Sequence, residues 1–292
     1  MIVEIAPAKV NLYLHVGPVR GDGLHDLESL FFFTDQGDVV RVERADDIGL
    51  EIIGPFAAPL LKERPDSNLV FRSATALRNV ARDTMVGPLG AKITLEKNLP
   101  VAAGIGGGSA DAAATLRALL SLWGMALPKD TLTALAFSLG ADVPACLSAR
   151  PQRVSGAGET LSKVAPFPPL HICLVNPGIE TPTGPIFKAF DAKKPSPPPP
   201  ISPALSAIST KDGISAAFRQ SRNDLEIFAI EQYAIIGEVI DFLASCRHAL
   251  GARMSGSGAT CFALFETKDE AELAARNAEQ RGWWSAAMRI AG

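Results

Sequence analysis

Along the first fifty residues, apolar and polar positions alternate with the two-residue period of β-strands. Leu12, Leu14 and Val16 fall on one face and Asn11, Tyr13 and His15 on the other, which predicts a strand with an apolar side and a side able to meet a ligand. Residues 27–34, 38–43 and 49–53 share the β-rich composition and predict further strands of a twisted antiparallel or mixed sheet. The period changes after Asp66. Val70, Ala74, Leu77 and Ala81 recur on one helical face behind the capping-type run Asp66-Ser67-Asn68, and alternation returns at Ile93 and Leu95. Residues 109–124, rich in alanine and leucine, predict a helix stopped by Gly124; residues 128–140 repeat the design, with Pro128 near the first turn and Gly140 at the end.

The run 164–169, with three prolines, marks a break. Beyond it the pattern predicts a strand at 171–175, a long helix over about 224–247, strands at 252–255 and 260–265, a helix near 269–281 and a last strand at 285–290. That β-α-β-β-α-β order is ferredoxin-like. Between its first strand and helix, residues 193–203 are proline-rich and predict a solvated polyproline II loop, either a plain spacer or a docking peptide for an aromatic groove.

Composition narrows the classes. A chain of 292 residues with 47% hydrophobic content can form two ordinary domains, and a net charge of -3 provides no sequence-wide cationic field for nucleic acid or an anionic membrane. Cys146, Cys173, Cys246 and Cys261 show no CxxC spacing and are expected to be structural thiols. The start lacks a basic region followed by a continuous apolar run, and no stretch approaches about 18 apolar residues, so a cytoplasmic protein is expected.

Two glycine clusters stand out. Gly104, Gly106, Gly107 and Gly108 lie directly before a helix expected to start near Ser109, where backbone amides and the positive helix end could hold a polyphosphate. No lysine follows as GxxxxGK[ST] requires, and Ser109 stands where GxGxxG needs its third glycine. This argues against a dinucleotide-binding oxidoreductase; a glycine-rich hinge remains an alternative. The second cluster, Ser255, Gly256, Ser257 and Gly258, sits between two strands, where tight-turn chemistry alone could explain it.

The segments 7–16, 99–116 and 254–265 resemble, in order and spacing, the three motifs of the GHMP kinases, the superfamily of galactokinase, homoserine kinase and mevalonate kinase. Residues 6–14, 21–31, 139–144 and 177–187 resemble more closely the branch that phosphorylates a cytidine diphosphate-linked methylerythritol on its 2-hydroxyl in non-mevalonate isoprenoid precursor synthesis. The resemblance runs from about residue 5 to 267 and is weakest at 190–220. It implies an α+β, two-domain GHMP kinase fold. Residues 1–160 would be the ATP-binding domain, like domain 2 of ribosomal protein S5, and 161–292 a ferredoxin-like C-terminal domain, with the active site in the cleft between them. The S5-like fold also occurs in ribosomal proteins, but the acidic balance opposes nucleic-acid binding. No membrane partner is expected, and the protein would be a monomer or homodimer.

The resemblance also assigns roles. Lys9 and Asp142 would be catalytic, Lys9 orienting the acceptor hydroxyl and Asp142 taking its proton; by position alone they could be a solvated lysine and a turn cap. ATP would lie against Asn68 and Lys97, near the adenine, and along Pro100, Val101, Ala102, Ala103, Gly104, Ile105, Gly106, Gly107, Gly108 and Ser109. Mg²⁺ would accompany it, with Ser109 the candidate to approach the metal, although a helix N-cap explains that serine equally well. The cytidyl substrate would meet Asn11, His25, Phe31, Asp142, Thr181 and Phe187; unaided, His25 reads as an exposed loop residue and the two phenylalanines as core. Leu24 departs from the aromatic that usually precedes the histidine and stacks on cytosine. Another GHMP kinase, acting on homoserine or a sugar, is the alternative.

Overall fold

The computed structural model describes residues 1–82, 88–193 and 210–291. The proline-rich segment expected as a loop therefore lies almost wholly outside the described residues. The chain divides into two compact units, each assembled from separate stretches. One comprises Met1–Ala8, Gln36–Val101 and Gly106–Ala149, the other Lys9–Asp35, Ala102–Ile105 and Arg150–Gly292.

Two long strands, β1 (Ile2–Val19) and β2 (His25–Ala45), pair with each other and run through both units. The two separate strands expected at 27–34 and 38–43 are thus one. Gly37 removes the break: a Cβ there would lie 1.9 Å from the Ala6 carbonyl oxygen, so only glycine lets β2 pass that close to β1. In the first unit the second half of β2 pairs antiparallel with β4 (Gly90–Glu96), which carries β3 (Ile48–Ile53) in parallel on its other edge. Helices α1 (Leu69–Arg82), α2 (Gly107–Trp123), α3 (Lys129–Leu139) and α4 (Val143–Ser148) pack together beside these strands. The predicted face of α1 is buried, and Asn68 opens the helix by accepting the Val70 N–H at 2.9 Å. Gly124 ends α2 at a φ of 68°, returning its N–H to Leu120 and Ser121.

In the second unit the first half of β2 pairs with β5 (Gln152–Gly156), which forms a hairpin with β6 (Thr160–Lys163). A four-stranded antiparallel sheet has the order β10-β7-β9-β8, from β7 (His171–Asn176), β8 (Gly251–Met254), β9 (Cys261–Phe265) and β10 (Trp284–Arg289). Helices α5 (Thr183–Ala192), α6 (Lys211–Gln220), α7 (Glu226–Gln232) and α8 (Ile235–Ser245) lie between β7 and β8, and α9 (Lys268–Glu279) between β9 and β10. The ferredoxin-like order is present. The single helix expected over 224–247 is two, because Tyr233 leaves helical geometry at φ -138° and ψ 84° with no proline or glycine to signal it.

Leu14, Val16, Cys173, Phe190, Phe228 and Phe265 belong to one apolar core of this unit. The other face of β1, expected to meet a ligand, is equally covered: Asn11, Tyr13 and His15 are buried. Tyr13 lies at hydrogen-bond distance from Glu28, and the His15 ring accepts the Arg222 N–H at 3.4 Å. The four cysteines are free thiols, three of them buried. No described helix is long and apolar enough to cross a membrane.

Candidate active site

Lys9 is a buried lysine in the middle of β1, 4% exposed. Its Nζ donates to Asn11 Oδ1 at 3.0 Å and lies 4.4 Å from the centre of the Phe31 ring, which holds the charge by a hydrogen bond and a cation–π contact. The period of the strand puts Lys9 and Asn11 on one face. Asn11 Nδ2 donates to Ser29 Oγ at 2.9 Å, and Ser29 Oγ donates to the Tyr13 carbonyl at 2.5 Å. Each side chain in this chain of bonds is fixed by the next, which suits a cation that must be preorganised.

The same cluster extends to both glycine segments. The Lys9 N–H donates to the Ile105 carbonyl at 2.8 Å, the Asn11 N–H to Ser255 Oγ at 3.3 Å, and Ser255 Oγ to the Gly104 carbonyl at 2.9 Å. Gly104 has a φ of +73°, and a Cβ on it would fall 2.3 Å from the Ser255 carbonyl oxygen. Thr260 N–H donates to the Ala103 carbonyl at 3.1 Å. Asn223 Nδ2 ties the Met254 and Gly256 carbonyls at 3.0 and 2.8 Å. The second glycine cluster is therefore more than a turn: within this unit it is the seat for residues 103–105.

In the first unit, Gly106 adopts a left-handed conformation and α2 begins at Gly107, two residues earlier than expected. Its cap residue, Gly106, has no side chain to cap it, and no acidic residue occupies its first turn. Ser109 is thus in the first turn rather than at the cap. An uncapped helix start with a run of glycine amides suits a polyphosphate.

The Lys97 ammonium is taken up by two carboxylates. Buried at 2% exposure, its Nζ bonds the Asp38 carboxylate closely and Asp111 Oδ2 at 2.8 Å. Burial would by itself lower the Lys97 ammonium, but Asp111 and Asp38 outweigh it and hold it above the usual lysine value. Burial pushes Asp111 up to about 7, against the pull of Lys97 and with the help of Asp38. Asn68, also placed near adenine by the resemblance, accepts the Val70 N–H with its side chain.

Asp142 stands half-buried just before α4, and its side chain makes no capping bond to that helix. His25 Nδ1 bonds the Gly17 carbonyl at 2.8 Å; because a carbonyl can only accept, Nδ1 carries the hydrogen. The His25 ring lies 5.0 Å from that of Phe187, with Nε2 3.5 Å from Asp191. His25 is thus a held ring and not a free loop residue. Thr181 is buried, and its hydroxyl has no hydrogen-bond partner among the described residues. Leu24, beside His25, is 43% exposed.

Sequence reasoning missed Ser29, Asp38, Asp111 and Asn223, whose partners lie far along the chain and leave no local spacing to read. Among the described residues no group of three or more His, Cys, Asp or Glu could hold a metal ion alone. Ser109, in the first turn of α2, offers a hydroxyl of the kind that suits Mg²⁺ bound chiefly by phosphate oxygens and water.

Residues 68–150 match the family model described as the GHMP kinases N terminal domain, and residues 203–282 the one described as GHMP kinases C terminal. The chain belongs to the GHMP kinase family, in the branch of the 4-diphosphocytidyl-2-C-methyl-D-erythritol kinases. A protein of that name from Cereibacter sphaeroides is 47% identical, with 100% of both chains covered, and one from Hyphomonas neptunium is 45% identical over 98% of this chain and 95% of its own. A crystal structure of 4-(cytidine 5'-diphospho)-2C-methyl-D-erythritol kinase superposes with a TM-score of 0.78 at 33% identity, covering 100% of both chains. Homoserine kinase from Cytophaga hutchinsonii shares the fold, with a TM-score of 0.72 at 18% identity over 99% of this chain and 93% of its own.

Proposed function

We propose that this chain transfers the γ-phosphoryl group of ATP to the 2-hydroxyl of 4-diphosphocytidyl-2-C-methyl-D-erythritol, acting in the cytoplasm. The observation that carries the reading is the buried Lys9, held by Asn11 and Phe31 and bonded through its backbone to the glycine segment. A lysine this deeply placed beside a phosphate-loop sequence has a function in charge stabilisation that a solvated lysine lacks. The names of relatives at 45–47% identity favour the cytidyl alcohol over homoserine or a sugar. The matches of the two family models, at 68–150 and 203–282, favour an ATP-binding N-terminal domain over 1–160 and a second domain over 161–292.

In this reading the amides of Gly106–Ser109 bind the phosphates, and Pro100–Ile105 shape the approach. Ser109 would help to hold Mg²⁺ beside the phosphates, where the ion would supply neutralisation of the phosphate oxygens. Asp142 accepts the proton of the 2-hydroxyl as that oxygen attacks the γ-phosphorus, and the bond from phosphorus to the bridging oxygen of ADP breaks. Lys9 orients the hydroxyl and balances the charge developing on the transferred group. His25 and Phe187 receive the cytosine, while Asn11, Phe31 and Thr181 line the remainder of the substrate.

Asp142→Asn keeps the shape of the side chain and removes its basic oxygen. Turnover at saturating ATP should fall by roughly 10²–10⁴ with nearly unchanged ATP affinity in calorimetry and an unchanged melting curve. Near-normal turnover by the folded variant would remove Asp142 from its role as base.

A further inference from the structure

We infer that Asp111 and Asp38 are positioning residues for the nucleotide, acting through Lys97 to fix the first turn of α2. The inference rests on the reading of Gly106–Ser109 as the phosphate site. Asp38, Lys97, Gly107 and Asp111 all belong to the first unit. The Asp38 carboxylate bonds Lys97 with one oxygen and with the other accepts the N–H groups of Asn98 and Leu99 at 2.6 and 2.9 Å. Lys97 is therefore locked at the end of β4 by its own chain neighbours. Its ammonium then reaches Asp111 Oδ2 at 2.8 Å, one helical turn beyond Gly107.

Gly107 completes the contact. A Cβ built there would lie 3.5 Å from Lys97 Nζ and 3.7 Å from Asp38 Oδ2, so the ion cluster sits directly under the residue whose amide begins the helix. The cap residue of α2, Gly106, has no side chain to hold the helix start, whereas the bond from Lys97 to Asp111 ties the helix to the end of β4 one turn further on. Two buried carboxyl groups around a buried ammonium are a costly way to fill space, and apolar side chains of similar volume are often as stable or more so. The second Asp111 oxygen is buried without a hydrogen-bond partner among the described residues, a further cost. What the cluster adds is directional hold: bonds of fixed length set where the glycine amides stand, which matters for an anion bound by several amides at once.

The test compares Asp111→Ala, Asp111→Asn and Lys97→Met in the full chain. Asparagine retains an oxygen that accepts from Lys97; alanine does not. Asp111→Ala and Lys97→Met should raise KM for ATP about tenfold or more while KM for the cytidyl alcohol stays within about twofold, whereas Asp111→Asn should stay near wild type. Calorimetry should show the same order of ATP affinities. Hydrogen exchange of the nucleotide-free protein should be faster at residues 106–112 in Asp111→Ala and not in Asp111→Asn. Should Asp111→Ala lose its cooperative melting, Asp111→Ser serves in its place. Wild-type ATP affinity and exchange in folded Asp111→Ala or Lys97→Met would overturn the inference, as would an equal loss in Asp111→Asn. Gly107→Val separates this from failure of the phosphate site itself: if that variant binds ATP normally the site reading is wrong, whereas its loss beside an intact Asp111→Ala condemns only the positioning role.

Discussion

Two lysines in this chain would look alike in a sequence and have different tasks in the structure. Lys9 donates to the Asn11 amide oxygen and lies against the face of Phe31. Lys97 meets two carboxylates and acts through them on the helix start. His25 is held by the Gly17 carbonyl against Phe187, while its neighbour Leu24 is partly in solvent. A leucine at that position offers apolar contact without a π-face for a base. Leu24→Tyr should therefore lower KM for the cytidyl alcohol by about fivefold, equivalent to about 1 kcal/mol of stacking. The check is a pair of saturation curves at fixed ATP; a higher KM in the folded variant would place the base elsewhere.

At the scale of elements, the helices and the ferredoxin-like order were legible because their signals are local. Val70, Ala74, Leu77 and Ala81 recur with the helical period, and Gly124 and Asn68 mark ends by their backbone preferences. The continuity of β2 and the break at Tyr233 were not, since one depends on Gly37 meeting Ala6 and the other on backbone geometry without a marker residue. The site divides likewise: the glycine segments and Lys9 are visible as motifs, while Ser29, Asp38 and Asp111 acquire their roles only from distant partners. The buried polar face of β1 has a consequence for pH. Burial lowers the His15 pKa, with Arg222 and Arg253 adding to the effect and Asp224 opposing it, so the neutral ring is favoured in the folded chain. Its stabilising contribution is present above the unfolded value near 6.5 and is lost as pH falls through the lower folded value. Melting curves from pH 7.5 to 5 should fall less steeply for His15→Gln than for wild type. An identical slope would show that His15 takes no part in the acid sensitivity.

For the whole molecule, the chain matches relatives along its entire length, and both family models find their segments in it. The central claim concerns the acceptor. Homoserine kinase and mevalonate kinase share this fold at 18% and 11% identity, so the fold admits several alcohols and only turnover distinguishes them. The decisive measurement is initial-rate phosphorylation by purified full-length protein with ATP and Mg²⁺, offering 4-diphosphocytidyl-2-C-methyl-D-erythritol, homoserine, mevalonate and galactose in parallel, with phosphorus NMR of the product. The account predicts turnover of the cytidyl alcohol with kcat/KM at least about 10³ times that of the others, and a new phosphomonoester on its 2-hydroxyl. Preferential phosphorylation of homoserine, mevalonate or galactose, with the cytidyl alcohol left unmodified, would contradict it.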